Sequence, residues 1–192
     1  MPAVKRMNTH TGKRRIYRQL AAASLALMLG VFVYVLDRDP QRIYFLTGIL
    51  NQSLAKGTVF GVLGSSLPSF THVYAFILFT AALLPPGRKT CVGATLFWLI
   101  TDSAFEIAQH SAIAPLAASA VPAWFAGIPV LDNTRAYFLH STFDPFDLAA
   151  IVVGAMAAAV TVLVTTKNNA STTESKTNVN HRTIDSLFPE NQ

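Results

Sequence analysis

WLITDSAFEIAQ, residues 98–109, closes an apolar run that begins at Cys91. Asp102, Glu106 and Gln109 follow one another at spacings of four and three. On a helix of 3.6 residues per turn they stack on one face. Nothing in 91–101 is charged. An apolar helix that ends in a polar face must turn that face toward protein or water, because lipid offers it no partner. The stretch therefore reads as the polar end of a membrane helix.

Composition agrees. Of 192 residues, 52% are hydrophobic and 13% charged, where a soluble domain carries about 25% charge. The mean hydropathy is +0.40, which places the chain in the membrane class. The net charge of +5 is uneven, with six Lys/Arg in the first 18 residues. No basic run is interleaved with stacking aromatics, so no nucleic-acid partner is expected; membrane lipids are. The one cysteine, Cys91, excludes an internal disulfide.

Outward from 98–109, hydropathy sets the organisation. Residues 1–15 form a basic N-terminus. Residues 16–166 form an all-α membrane domain with spans expected at 16–36, 70–84, 91–107 and 145–164. Residues 167–192 are polar, without apolar period, and are expected to be a disordered tail. The first run is long and ends in Tyr34-Val35-Leu36-Asp37, without a small-x-small cleavage pattern, so it reads as an uncleaved span. In 37–69, Asp39-Pro40 suits a helix start. Ile43, Leu46, Ile49, Leu50 and Leu54 make a one-sided stripe too short to span. Gly57, Gly61, Gly64, Ser65 and Ser66 follow. The segment reads as an interfacial or re-entrant helix and a loop. Pro85-Pro86-Gly87-Arg88-Lys89 is a basic turn. The long connection 110–143, with Trp124 and Phe125 as interfacial anchors, lies on the bilayer or folds over the helices. Asp144 and Pro145 suit the cap and first residue of the last span.

With the N-terminus inside, eleven Lys/Arg fall on the inner segments and four on the outer. The positive-inside rule then places both termini in the cytoplasm. The same topology puts His72 in the first outer turn of the second span. It puts Asp102, Glu106 and Gln109 near the outer end of the third, and Asp144 and Asp147 in the first outer turns of the fourth. An ionisable group near the bilayer centre costs about 2.5 kcal/mol or more, which favours pairing. Glu106 and His72 are the expected pair, with Asp147 closing from the fourth span. Asp102 is the deepest and reads as a helix-contact residue.

These positions resemble the VanZ-like family of small bacterial membrane proteins over about residues 65–160. The family pattern has a His in an early helix after Asp-Lys, then Glu-x-x-Gln, then Asp-x-x-x-Asn-x-x-Gly. His72 matches the first, although Pro68-Ser69 stand in place of Asp-Lys. Glu106-Ile107-Ala108-Gln109 matches the second. Asp147 and Gly154 match the third, with Ile151 in place of Asn. Asp144 resembles the family's extra upstream acid, and Arg135 the Arg that often precedes it. The family takes its name from a protein accompanying glycopeptide resistance. The resemblance implies a cell-envelope role, with His72, Glu106, Gln109, Asp144 and Asp147 as a polar cluster that binds or acts on an envelope lipid or antibiotic-like amphiphile.

The cluster also has a purely structural reading, a hydrogen-bond network that fixes helix register. No HExxH or paired helical histidines are present, and no metal, haem or other cofactor is expected. No GxSxG elbow marks a nucleophile, so the sequence carries no recognisable catalytic motif. Ala150, Gly154 and Ala158 at spacings of four suit close helix packing, within the chain or in an oligomer.

Overall fold

A computed structural model describes residues 9–37, 60–128 and 131–187. Among them are six α-helices and no strand: α1 (Thr9–Asp37), α2 (Gly61–Leu83), α3 (Arg88–Ala108), α4 (Ala114–Ala120), α5 (Thr134–His140) and α6 (Pro145–Leu187), with a 3-10 turn at Ala123–Phe125. Four stretches are long and apolar enough to cross a membrane: Gly12–Asp37, Gly64–Leu83, Arg88–Ala108 and Pro145–Lys167. The chain is an all-α membrane bundle. The stripe at 43–54 and the Asp39-Pro40 helix start lie outside the described residues.

Polar contacts fix both ends of the bundle. At one end, Asp37 Oδ1 accepts the Phe60 N–H at 3.1 Å, so the chain leaves α1 and enters α2 side by side. At the other, the buried Arg15 guanidinium donates to Ala81 O and Leu84 O at 3.5 and 3.4 Å. A cation on the last carbonyls of α2 complements its dipole. Gln19 Nε2 donates to Thr165 Oγ1 at 2.8 Å, which lays α6 antiparallel to α1 and parallel to α2.

The expected spans are all present; α1 and α3 begin seven and three residues early, at Thr9 and Arg88, and two further differences bear on the packing and the tail. α2 starts at Gly61, nine residues before the expected 70. Gly64, Ser65, Ser66 and Pro68 are weak helix formers, yet here packing against α1 decides. A Cβ on Gly64 would lie 2.7 Å from Asp37 Cγ, so the glycine lets α2 begin directly against the end of α1. The second difference is in α6, whose helical backbone continues to Leu187 where disorder was expected from 167. No Gly or Pro occurs between 155 and 187, so nothing in the backbone chemistry ends the helix.

α2 is the centre of the bundle: 39% of its span is buried against 17% for α3. Val73, Ile77 and Leu78 pack with Ala23 of α1 and with Ile151, Ala155 and Ala158 of α6. Small side chains dominate because, without a hydrophobic drive between helices in lipid, close backbone approach supplies the packing energy. Interhelical hydrogen bonds set the register: Tyr74 to Thr161 at 3.2 Å and Trp98 Nε1 to Thr80 at 2.9 Å. Such bonds contribute ~0.6 kcal/mol each. Leu25, Phe32, Phe97, Ile100, Val160 and Leu163 remain exposed, an outer surface suited to lipid.

Candidate functional site

Trp98, Thr101, Asp102, Phe105, Glu106 and Gln109 of α3 all line one cavity of about 570 Å³. Their steps of three, one, three, one and three define a single helical face. Across from it stand Ser69 and His72 of α2, Tyr34 of α1 and Tyr137 of α5. The cavity lies where α2 and α3 face each other, with α5 across the end at Gln109.

His72 pairs with Asp102, not with Glu106: Nδ1 to Oδ2 is 3.0 Å. The reason is the earlier start of α2. His72 is its twelfth residue, about 16 Å along the axis from Gly61 at 1.5 Å per residue. Asp102 likewise lies inside its helix, six residues before its end at Ala108, whereas Glu106 sits in the last turn. Asp102 is 11% exposed and His72 47%, so the acid is packed away and the imidazole faces out. Phe76 lies against the imidazole at 4.4 Å between centroids. Trp98 meets the imidazole edge at 6.4 Å, and its own ring packs on Phe76 at 4.7 Å. The bond to Thr80 fixes the indole further.

Glu106 is buried and both its oxygens are engaged. Oε1 accepts the Asp144 N–H at 2.8 Å, and Oε2 accepts Gln109 Nε2–H at 3.0 Å. Gln109 Nε2 also donates to the Tyr137 hydroxyl at 2.9 Å. One carboxylate thus ties the end of α3 to the start of α6 and, through Gln109, to α5. Phe138, buried, reinforces the tie by stacking on Phe105 at 5.8 Å. Asp144 behaves as a cap, its Oδ1 accepting the Phe146 N–H at 2.9 Å. Asp147 lies in the first turn of α6, and both aspartates act electrostatically on Glu106.

The cluster therefore divides. His72 and Asp102 form one pair inside the cavity. Glu106, Gln109 and Asp144 form a latch at the helix ends, joined by Tyr137. Arg135 is exposed on α5 and lines neither this cavity nor a second one of about 470 Å³ beyond Gln109. His110, Ser141 and Phe143 wall that second cavity. Among the described residues, no three His, Cys, Asp or Glu are grouped to hold a metal ion. The sequence reading missed Trp98, Phe105 and Tyr137. The first two could have been found from their i−4 and i+3 relation to Asp102. Tyr137 has no local signal, because it reaches Gln109 from 28 residues away.

Fold and site define a multi-pass helical membrane protein with a mixed polar and aromatic cavity between its helices. Compared with known proteins, the chain matches no family model, no curated protein and no solved structure.

Proposed function

We propose that this is a VanZ-like protein of the bacterial cytoplasmic membrane that binds an envelope lipid or antibiotic-like amphiphile in the cavity walled by α2, α3 and α5. The observation that carries the reading is the cavity's make-up. The His72–Asp102 pair joins the α2 and α3 walls, and Tyr34, Trp98, Phe105, Tyr137 and Ile151 complete the lining. A few placed polar groups among apolar and aromatic walls are what an amphiphile site needs. The family part rests on His72, Glu106-x-x-Gln109, Asp147 and Gly154. Orientation rests on charge. Arg14, Arg15, Arg88, Lys89 and Lys167 belong to the end of the bundle opposite Asp37, so the cavity, nearer the Asp37 end, faces outward with both termini inside.

Native mass spectrometry of the mildly solubilised protein tests this. The wild type is expected to retain an amphiphile. Thr101→Phe, which fills the wall without touching the latch, is expected to lose it at an unchanged melting temperature. Equal retention by the variant, or none by the wild type, would sink the reading.

A second reading holds for part of the cluster. With both Glu106 oxygens committed to Asp144 and Gln109, the latch is a packing device, and only the His72–Asp102 side is offered to a ligand.

A further inference from the structure

The geometry points to a cationic ligand group, an alkylammonium head, seated in this cavity against Asp102, Trp98 and the neighbouring tyrosines. The inference rests on the amphiphile reading above and names the head that the site selects. Four aromatic rings other than the imidazole line the cavity: Tyr34, Trp98, Phe105 and Tyr137. Two carboxylates, Asp102 and Glu106, are the acids of the wall, and no lysine or arginine is present among its described lining residues. Arg135, on the same short helix as Tyr137, is exposed and outside it. An anionic head would meet ring faces and carboxylates with no opposing cation. An ammonium would meet both of the partners it favours, π faces and a carboxylate.

The two acids differ in what they have left to offer. Glu106 is used up by the latch. Asp102 has one described partner, the His72 imidazole, on Oδ2. Asp102 Oδ1 accepts from no group among the described residues, so an ammonium entering the cavity finds a carboxylate oxygen there. The aromatic side is already organised. Trp98 is held by Thr80 Oγ1 and Phe76, so little ordering cost remains at binding.

The chain has two tryptophans, Trp98 in the wall and Trp124 in the external connection. In a Trp124→Phe background, Trp98 emission reports the cavity alone. The full chain, in maltoside micelles, is titrated with dodecyltrimethylammonium, with a neutral dodecyl glucoside, with dodecyl phosphate and with tetramethylammonium chloride. The expected result is a saturable change whose midpoint for dodecyltrimethylammonium is at least tenfold below those of the neutral and anionic chains. Asp102→Asn, which keeps an acceptor for His72, is expected to bring the ratio to the neutral chain down to about one. Should that variant misfold, Trp98→Phe, read by thermal shift, must reduce the same preference. Saturation by tetramethylammonium at an equal midpoint identifies a free small cation as the source; a requirement for the chain identifies an amphiphile head. Saturable binding without charge preference, or with preference for phosphate, overturns the cation inference and leaves the amphiphile reading standing. No saturable response to any probe overturns both.

Discussion

Removing the Glu106 carboxylate tests the latch directly. In Glu106→Ala, the Asp144 N–H and one Gln109 amide proton lose their acceptor. Gln109 keeps Tyr137 at 2.9 Å and can tighten toward Phe105 O, now at 3.4 Å, so its loss is the smaller one. A buried donor left without a partner costs about 1–3 kcal/mol, and a weakened neutral bond adds ~1 kcal/mol. The sum is about 2–4 kcal/mol. For a chain of this size each kcal/mol moves the melting temperature by about 2–4 °C, so thermal unfolding in detergent should drop by about 4–16 °C. Glu106→Gln separates the acceptor from the charge. Its amide oxygen can still take the Asp144 N–H, and Gln109 can turn its own amide to meet the new NH₂. It should recover at least half of the alanine loss. Neither variant should change the charge preference read at Trp98, because Asp102 and His72 keep their contact. An alanine variant that melts within a degree of wild type would refute the latch. A glutamine variant as damaged as alanine would show that the charge itself is needed there.

Two further outcomes follow from the packing and the charge distribution. Gly154→Ala should lower stability by about 1–3 kcal/mol, measured by the same melting assay. Its new Cβ would lie 2.6 Å from Val73 Cγ1 and 2.7 Å from Phe70 O, and neither a β-branched side chain in a helix nor a backbone carbonyl can give way; Gly93→Ala, which meets nothing within 4 Å, is the control expected to be neutral. An impermeant thiol reagent applied from outside intact cells should label Asp132→Cys and spare Arg88→Cys, and the reverse pattern would invert the orientation.

The bundle was legible because its signal is local. A span of about 20 apolar residues is dictated by bilayer thickness, and each expected span falls on a described helix. The start of α2 was not legible, because Gly61, Gly64 and Pro68 argue against helix on propensity, and only the contact with Asp37 overrides them. That single miss carried into the site. With α2 taken to begin at 70, His72 belonged to an outer turn beside Glu106. With nine more residues of helix before it, the same imidazole sits in the fourth turn of α2 rather than the first, and it meets Asp102, one turn inside Glu106. The polar residues of α3 were readable, but their partners were not, since pairing depends on the relative depth of two helices. The two ends of α5 and the Gln109–Tyr137 contact depend on how a long connection folds back, which no short-range pattern encodes.

On the proposed reading, the face of α3 does two jobs at different depths, and the physical chemistry of each explains why one residue type could not serve both. At the helix end, Glu106 meets a backbone N–H and an amide, donors whose positions are fixed by the start of α6 and by Gln109. A carboxylate with two such donors is satisfied and has no reason to recruit a ligand. One turn deeper, Asp102 meets an imidazole that is itself 47% exposed. That pair is only partly closed, and around it the cavity offers aromatic rings and neutral hydroxyls, with no lysine or arginine among the described lining residues. An acid in such a place is expensive in a membrane, and the cost is offset best by a cation. The latch also bears on the cavity it stands above. By fixing Tyr137 through Gln109 it sets the position of one aromatic wall, so a weakened latch should loosen ligand binding through the ring geometry while leaving the sign of the preference, which Asp102 sets, unchanged.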